Sequence, residues 1–288
     1  MSSTSSSSPA RPARLLTQQE KLARVYEEEV YPLFGQKLAD LLMANLALTP
    51  SGHVLQIGCG LGTTNTEILQ RTDADSRLTA VETTPAVLER ARANVPAEYL
   101  GRRVFFRSHN LEGELPFAED GFDHVVANLS LADVASPGTL VSELVRATKP
   151  GGELRLATPL AGTWREFLDV YSDVLVRLRK QEAATALAAY GKSFPEPEAL
   201  AKQLEAAGLG SVAVETTHWE LVFRTGREFF YAPVIEQGPL ARWKSIAGKG
   251  AEMQDVFLAV KEAIDTYFAG SAFGVSVVAG VFSGTKIS

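Results

Sequence analysis

The chain has 288 residues and 45% hydrophobic content, enough to bury a substantial core, so length allows one large domain or two ordinary ones. A formal net charge of −6 argues against a nucleic-acid or anionic-membrane surface. The single cysteine, Cys59, excludes an internal disulfide, and four histidines without ligand spacing give no metal site. A reducing, cytoplasmic setting is the expectation, with no membrane contact, because no apolar run approaches the roughly 20 residues that span a bilayer.

In chain order, residues 1–14, "MSSTSSSSPARPAR", read as a disordered Ser-rich tail, with the Arg-bearing, acid-free composition of a transit peptide as the alternative. "TQQEKLARVYEEEVY" and "LFGQKLADLLMANL" have helical spacing and are separated by Pro32. Strand "HVLQIG", a helix from Thr63, strand "RLTAVE", helix "PAVLERARAN", strands "RVFFRS" and "FDHVVAN", helix "GTLVSELVRAT", turn "KPGG" and strand "ELRLAT" follow. The basic cluster "RRVFFR" reads as a strand with solvated ends rather than an RNA contact. Strands alternating with helices predict a parallel sheet covered on both faces, an α/β doubly wound class. "TWREFLDVYSDVLVRLRKQEAATALAAY" predicts a long helix with room for a break, and "EPEALAKQLEAAG" a helix ended by Gly208. Strand "SVAVETTHWELVF", two or three helices over 226–270 and a closing strand "FGVSVVAGVFSGTK" complete the pattern. We expect a single domain over 15–288, with 226–270 as a helical insertion before the last strand.

Gly58, Gly60 and Gly62 lie between a strand and a helix, where a doubly wound sheet binds its ligand. A dinucleotide fingerprint wants its third glycine at Thr63, and no Lys follows to make a P-loop. Glu82 ends the second strand, placed to accept from two ribose hydroxyls, a feature that nicotinamide and adenosyl cofactors share. The bland alternative is that the glycines only pack helix against strand.

These stretches carry a resemblance. "VLQIGCGLG" looks like the glycine motif of the class I S-adenosylmethionine-dependent methyltransferases, and "LTAVETTPAVLERAR" like their ribose motif. "SHNLEGELPFAEDGFDHVVANLSL" is similar to the adenine and methyl-side segment, and "LVRATKPGGELRLATP" to the turn before the fifth strand. The resemblance covers roughly residues 30–160. It implies a Rossmann-like seven-stranded sheet with the last strand antiparallel, and S-adenosyl-L-methionine as cofactor. It places Gly58, Gly60 and Gly62 at the methionine part, Glu82 at the ribose, Asn110 with Leu111 at the adenine, and the backbone near Asn128 at the methyl group. Two residues depart from the family pattern. Gln56 and Asn110 stand where most members carry acids, so Gln56 lacks the charge that orients the cationic amino end, a difference within roughly 1.5–3 kcal/mol.

A sulfonium methyl is already activated, so alignment matters most and a general base serves only some acceptors. Candidate catalytic residues are His109, at a strand end, Asp133, in the loop facing the methyl group, and Tyr26, which with Tyr31 could close over the cofactor or simply pack. His218 reads as structural, and Cys59 as a small loop residue. "NLSL" lacks the N-P-P-aromatic pattern of base-amine methylation. Phe229, Phe230, Tyr231, Trp243, Tyr267 and Phe268 could wall an apolar pocket or be ordinary core. The leading expectation is a methyltransferase acting at O, N or C of a small organic acceptor. Its rival is a catalytically silent methyltransferase fold that binds a protein partner.

Overall fold

A computed structural model describes residues 17–287, and the expectation for residues 1–14 lies outside the described residues. The strands are β1 (His53–Ile57), β2 (Arg77–Glu82), β3 (Val104–Ser108), β4 (Phe122–Asn128), β5 (Thr148–Pro159), β6 (Leu209–Phe223) and β7 (Phe273–Lys286). They form one sheet in the order β3-β2-β1-β4-β5-β7-β6. β1 to β5 pair in parallel, and β7 runs antiparallel to both β5 and β6. The seven-stranded, doubly wound architecture implied by the sequence motifs is therefore the one observed. Residues 149–152, read as a turn, loop out of the ladder: Thr148 pairs with Phe122 and Glu153 with His124.

The helices are α1 (Gln18–Val25), α2 (Gly35–Met43), α3 (Thr63–Arg71), α4 (Pro85–Ala93), α5 (Pro137–Ala147), α6 (Arg165–Arg177), α7 (Gln181–Gly191), α8 (Pro197–Ala206), α9 (Gly226–Tyr231), α10 (Pro233–Glu236), α11 (Leu240–Ala247) and α12 (Gly250–Tyr267). A π-helical turn, Tyr26–Val30, continues α1. β1 buries four of its five residues, as a central strand covered on both faces must. On one face Leu55, Ile57, Leu154 and Leu156 meet Leu140 and Leu144 of α5 and Leu200 and Leu204 of α8. On the other, Val54 and Leu78 meet Leu38 and Leu42 of α2 and Ile68 of α3. A third cluster lies under α6, α7 and the helices between β6 and β7, where Phe167 stacks on Trp243 with centroids 4.0 Å apart.

Two helical readings are refined. The long helix is broken into α6 and α7 because Arg179 takes a left-handed φ of +56° and the Lys180 amide donates back to the Leu175 carbonyl at 2.8 Å. This is a Schellman-type stop without the glycine that would have announced it. Between β6 and β7 there are four helices rather than two or three. Pro233 starts a new helix at its first turn, and Pro239 precedes another.

The sheet order reverses at β1, whose neighbours are β2 and β4, and this opens a crevice beyond the strands' carboxyl ends. Gly58 makes the closure there: at φ +69°, a Cβ on it would lie 2.1 Å from the Asn128 carbonyl oxygen. Gly151 has a similar φ of +76° but open space around it. Gly151→Ala should therefore cost about 1–2 kcal/mol, the left-handed penalty alone. Gly58→Ala should cost at least about 3 kcal/mol, because backbone must also move. Urea unfolding of both variants checks this, and equal losses would show that the approach to β4 carries no energy.

Candidate functional site

The loop after β1 uses its three left-handed glycines differently. Gly58 and Cys59 donate their amides to the Val81 carbonyl, at 2.9 and 3.0 Å, which ties the loop to β2. Gly62 seats the start of α3 on α4, since a Cβ there would lie 2.9 Å from the Ala91 carbonyl oxygen. Gly60 faces open space: a Cβ would meet only the Tyr31 ring, at 3.8 Å. The Gly60 amide donates to Glu82 Oε2 at 3.0 Å. Glu82 Oε1 accepts from the Thr83 amide at 2.8 Å, the Thr83 hydroxyl at 3.2 Å and the Thr84 amide at 3.2 Å. One carboxylate oxygen is filled by its own turn, while the other keeps an acceptor site for a ligand.

A cavity of about 230 Å³ lies over this loop, walled by Gly58, Gly60, Thr64, Glu82, Leu111 and Asn128, and by Tyr26, Tyr31 and Phe34 from the N-terminal helices. A second, of about 470 Å³, shares Tyr26 and Glu82 and runs along residues 84–87. A third, of about 140 Å³, shares Tyr26, Phe34 and Ser130. Tyr26 thus stands where all three meet. Its hydroxyl stays protonated, because burial, and then the charge of Glu82, raise its pKa. The Tyr31 hydroxyl is hydrogen-bonded to Thr63.

Gln56 does not reach the cavity. It is fully buried behind the loop, where its amide nitrogen donates to Thr64 Oγ1 and its Oε1 has no partner. Asn65 on the first turn of α3 is also fully buried, and its amide has only the Cys59 thiol, a weak partner, beside it. Unsatisfied buried groups cost about 1–3 kcal/mol each. Thr64, between these amides and the cavity, is the polar group that faces it. An acceptor carboxylate, a bare peptide at Gly60 and a hydroxyl at a helix start together suit a ligand with vicinal hydroxyls and an amino-acid end.

The other expected residues divide. Leu111 and Asn128 lie in the cavity wall. Asn110 is exposed and its Oδ1 accepts the Glu112 amide at 3.1 Å; His109 lies beside it, outside all three cavities. His218 is exposed on β6, an edge strand. Burial raises the Cys59 thiol pKa, so it is no nucleophile. Asp133 sits on the wall of the smallest cavity. Its side chain retains exposed surface, yet surrounding protein desolvates it and raises its carboxyl above the usual range, against a Ser130 hydrogen bond and the charge of Arg242.

None of the six aromatics expected to wall a pocket between β6 and β7 lines these cavities. Phe229 and Trp243 are fully buried in the third core cluster, while Tyr231 and Tyr267 are 68% and 53% exposed. That segment contributes Val234, Gln237, Gly238 and Pro239 instead. The sequence reading also missed Phe34, Thr64, Ser130, Trp164, Tyr190 and Phe194. Thr64, next to the glycine loop, and Ser130, just past Asn128, had a local signal; the others arrive from elements distant in sequence.

The methyltransferase-domain family model matches residues 55–156, the stretch from β1 to β5 that builds this loop and its walls. A demethylmenaquinone methyltransferase from Streptomyces avermitilis is 34% identical over 109 residues, covering 35% of this chain and 47% of that protein. A trans-aconitate 2-methyltransferase from Paracidovorax citrulli is 32% identical over 118 residues, covering 41% and 43%. The matches thus span about half the length of these curated relatives. The crystal structure of the YcgJ protein from Bacillus subtilis superposes with a TM-score of 0.55 at 19% identity, covering 88% of this chain and 99% of that one, a likeness of fold. The matched segment, residues 55–156, lies on the strands that form the crevice, and over that stretch the chain is similar to methyltransferase domains.

Proposed function

We propose that this protein binds S-adenosyl-L-methionine in the crevice over the glycine loop and transfers its methyl group to O, N or C of a small organic acceptor in the adjoining cavity. The observation that carries the reading is Glu82, held by the Gly60 amide with an acceptor oxygen facing a cavity that opens toward residues 84–87. When bound, the cofactor supplies an activated sulfonium methyl. Glu82 accepts from the ribose hydroxyls. Leu111 offers an apolar face to the adenine, with Asn110 available at its edge after giving up its local bond to Glu112. The Gly60 peptide and the Thr64 hydroxyl receive the methionyl end, and the backbone at Asn128 borders the methyl side. Tyr26 closes over the junction as a protonated donor and excludes water, which strengthens every polar contact inside. His109 has no role in this scheme, since it stands outside the walls.

The second reading keeps the fold without turnover, as a partner-binding module. It is favoured by Gln56, whose neutral, half-satisfied amide stands where most members carry an acid. Cofactor binding without methyl transfer on any acceptor would favour it.

Glu82→Ala should weaken S-adenosylmethionine binding at least about tenfold, because the carboxylate makes charge-assisted bonds worth roughly 1.5–3 kcal/mol each. Calorimetry measures it, and an unchanged dissociation constant would remove the ribose assignment. Gln56→Glu should tighten binding, by about tenfold at most, since a carboxylate behind Thr64 attracts the cationic amino end across that hydroxyl or through water. The same charge is fully buried, so the melting temperature of cofactor-free protein should fall and recover on adding S-adenosylmethionine. Weaker binding without recovery would mean that Gln56 serves the core alone.

A further inference from the structure

The smallest cavity has a chemistry of its own. Its wall combines Val30, Phe34, Trp164, Tyr190, Phe194 and Val234, and among the described residues it contains no Lys, Arg or His. The wall is firm: Phe34 stacks on Trp164 with centroids 6.1 Å apart and planes 6° from parallel, and Tyr190 meets Phe194 edge-on at 5.5 Å. At about 140 Å³ it is close to the roughly 150 Å³ at which an apolar cavity takes one benzene ring. Shared walls at Tyr26, Phe34 and Ser130 put any occupant against the cofactor side. Its polar groups are Ser130, Asp133 and Gln237, with the Tyr26 and Tyr190 hydroxyls.

Charge narrows the occupant further. A carboxylate in this space would face Asp133 with no cation on the wall, and the nearby Arg242 acts on Asp133 itself. A protonated amine would have to shed both its water and its proton, opposite a carboxylate whose charge Arg242 partly offsets. A neutral hydroxyl brings no charge to desolvate on entry, and Asp133 stands ready to accept its proton.

On the footing of the methyl-transfer reading above, we propose that this cavity selects an uncharged acceptor with the bulk of one ring and an acidic hydroxyl, a phenol or enol, and that Asp133 accepts the hydroxyl proton. The acceptor oxygen forms its bond to the methyl carbon as the carbon–sulfur bond breaks with its electron pair going to sulfur. The proton ends on the Asp133 carboxylate, so charge and atoms balance. Desolvation strengthens Asp133 as a base, while burial, and then the charge of Asp133, hold Tyr190 protonated as a donor. Selection by charge and size, rather than a set of hydrogen bonds to one molecule, is what the wall is built to do.

The test titrates the full chain, with and without S-adenosylhomocysteine, with four probes: o-cresol, salicylate, benzylamine and 2-naphthol. Tryptophan fluorescence, with Trp164 in the wall, and calorimetry read binding; mass spectrometry reads O-methylation with S-adenosylmethionine present. We expect o-cresol to bind at least about tenfold tighter than each of the others, since it alone is neutral, hydroxylated and small enough. Asp133→Asn should keep o-cresol binding within about threefold and lower methylation at least about hundredfold. Phe194→Ala, checked for folding by its melting temperature, should admit 2-naphthol, at least about fivefold tighter than wild type. Salicylate or benzylamine binding as tightly as o-cresol overturns the charge argument, and undiminished methylation in Asp133→Asn overturns the base. Protein that binds S-adenosylhomocysteine but not o-cresol overturns this proposal alone. Protein that binds o-cresol but not S-adenosylhomocysteine leaves the ring site standing and overturns the methyl-transfer reading instead.

Discussion

The constraint on which the rest of this structure depends is the contact between the backbone of Gly58 and the last carbonyl of β4. Two central strands end together because nothing larger than hydrogen separates them there, and the Asn128 oxygen sits where a Cβ would be. From that contact the loop turns upward, tied to β2 through the Val81 carbonyl, and delivers the Gly60 amide to Glu82. Three strands are thereby locked into one wall. The cavity is a consequence of backbone geometry before any side chain contributes to it.

The opposite wall has a different origin. Tyr26, Tyr31 and Phe34 come from the chain ahead of the sheet, and Tyr26 opens a π-helical turn whose Tyr26 carbonyl accepts the Tyr31 amide at 2.7 Å. Such widened turns re-aim side chains at some energetic cost and recur at functional sites. Here the turn places one tyrosine at the meeting point of three cavities. A small movement of α1 and this turn would change access to all of them together.

Behind the glycine loop the protein spends buried polarity in an unusual way. Gln56 and Asn65 leave amide atoms unpaired by protein, although the sheet and α3 enclose them completely. A charged acid at Gln56 would carry a larger desolvation penalty in a ligand-free state. A neutral amide lowers that penalty and gives up electrostatic hold on a cationic ligand. The balance favours a loop that stays folded while empty, with Thr64 relaying polarity to the cavity surface. In the neighbouring cavity of about 140 Å³ the polarity is reversed, since apolar rings dominate the wall and Asp133 is its one carboxylate.

How much of this was legible in sequence follows from the range of the interactions involved. The strand-glycine-helix pattern, Glu82 at the end of the next strand and the alternation of strands with helices are local, so they fixed the sheet, its crevice and the loop residues that face it. Proline and glycine signals placed most helix ends, but Arg179 broke the long helix with a non-glycine left-handed residue that carries no local mark. The sequence could not tell which aromatics wall a cavity and which fill a core. Phe229 and Trp243 went to the core, while Phe34, Trp164, Tyr190 and Phe194 formed the wall. Nor could it show that Gln56 lies behind Thr64 or that Asn110 is bonded to its own turn. The cavity wall depends on contacts between segments tens to hundreds of residues apart, which share no periodicity, while the two amides turn on side-chain orientations that no spacing encodes. The chain's own pattern determined the fold and the place of the crevice; only tertiary packing decided its walls, because side-chain burial is set by whichever distant element arrives opposite.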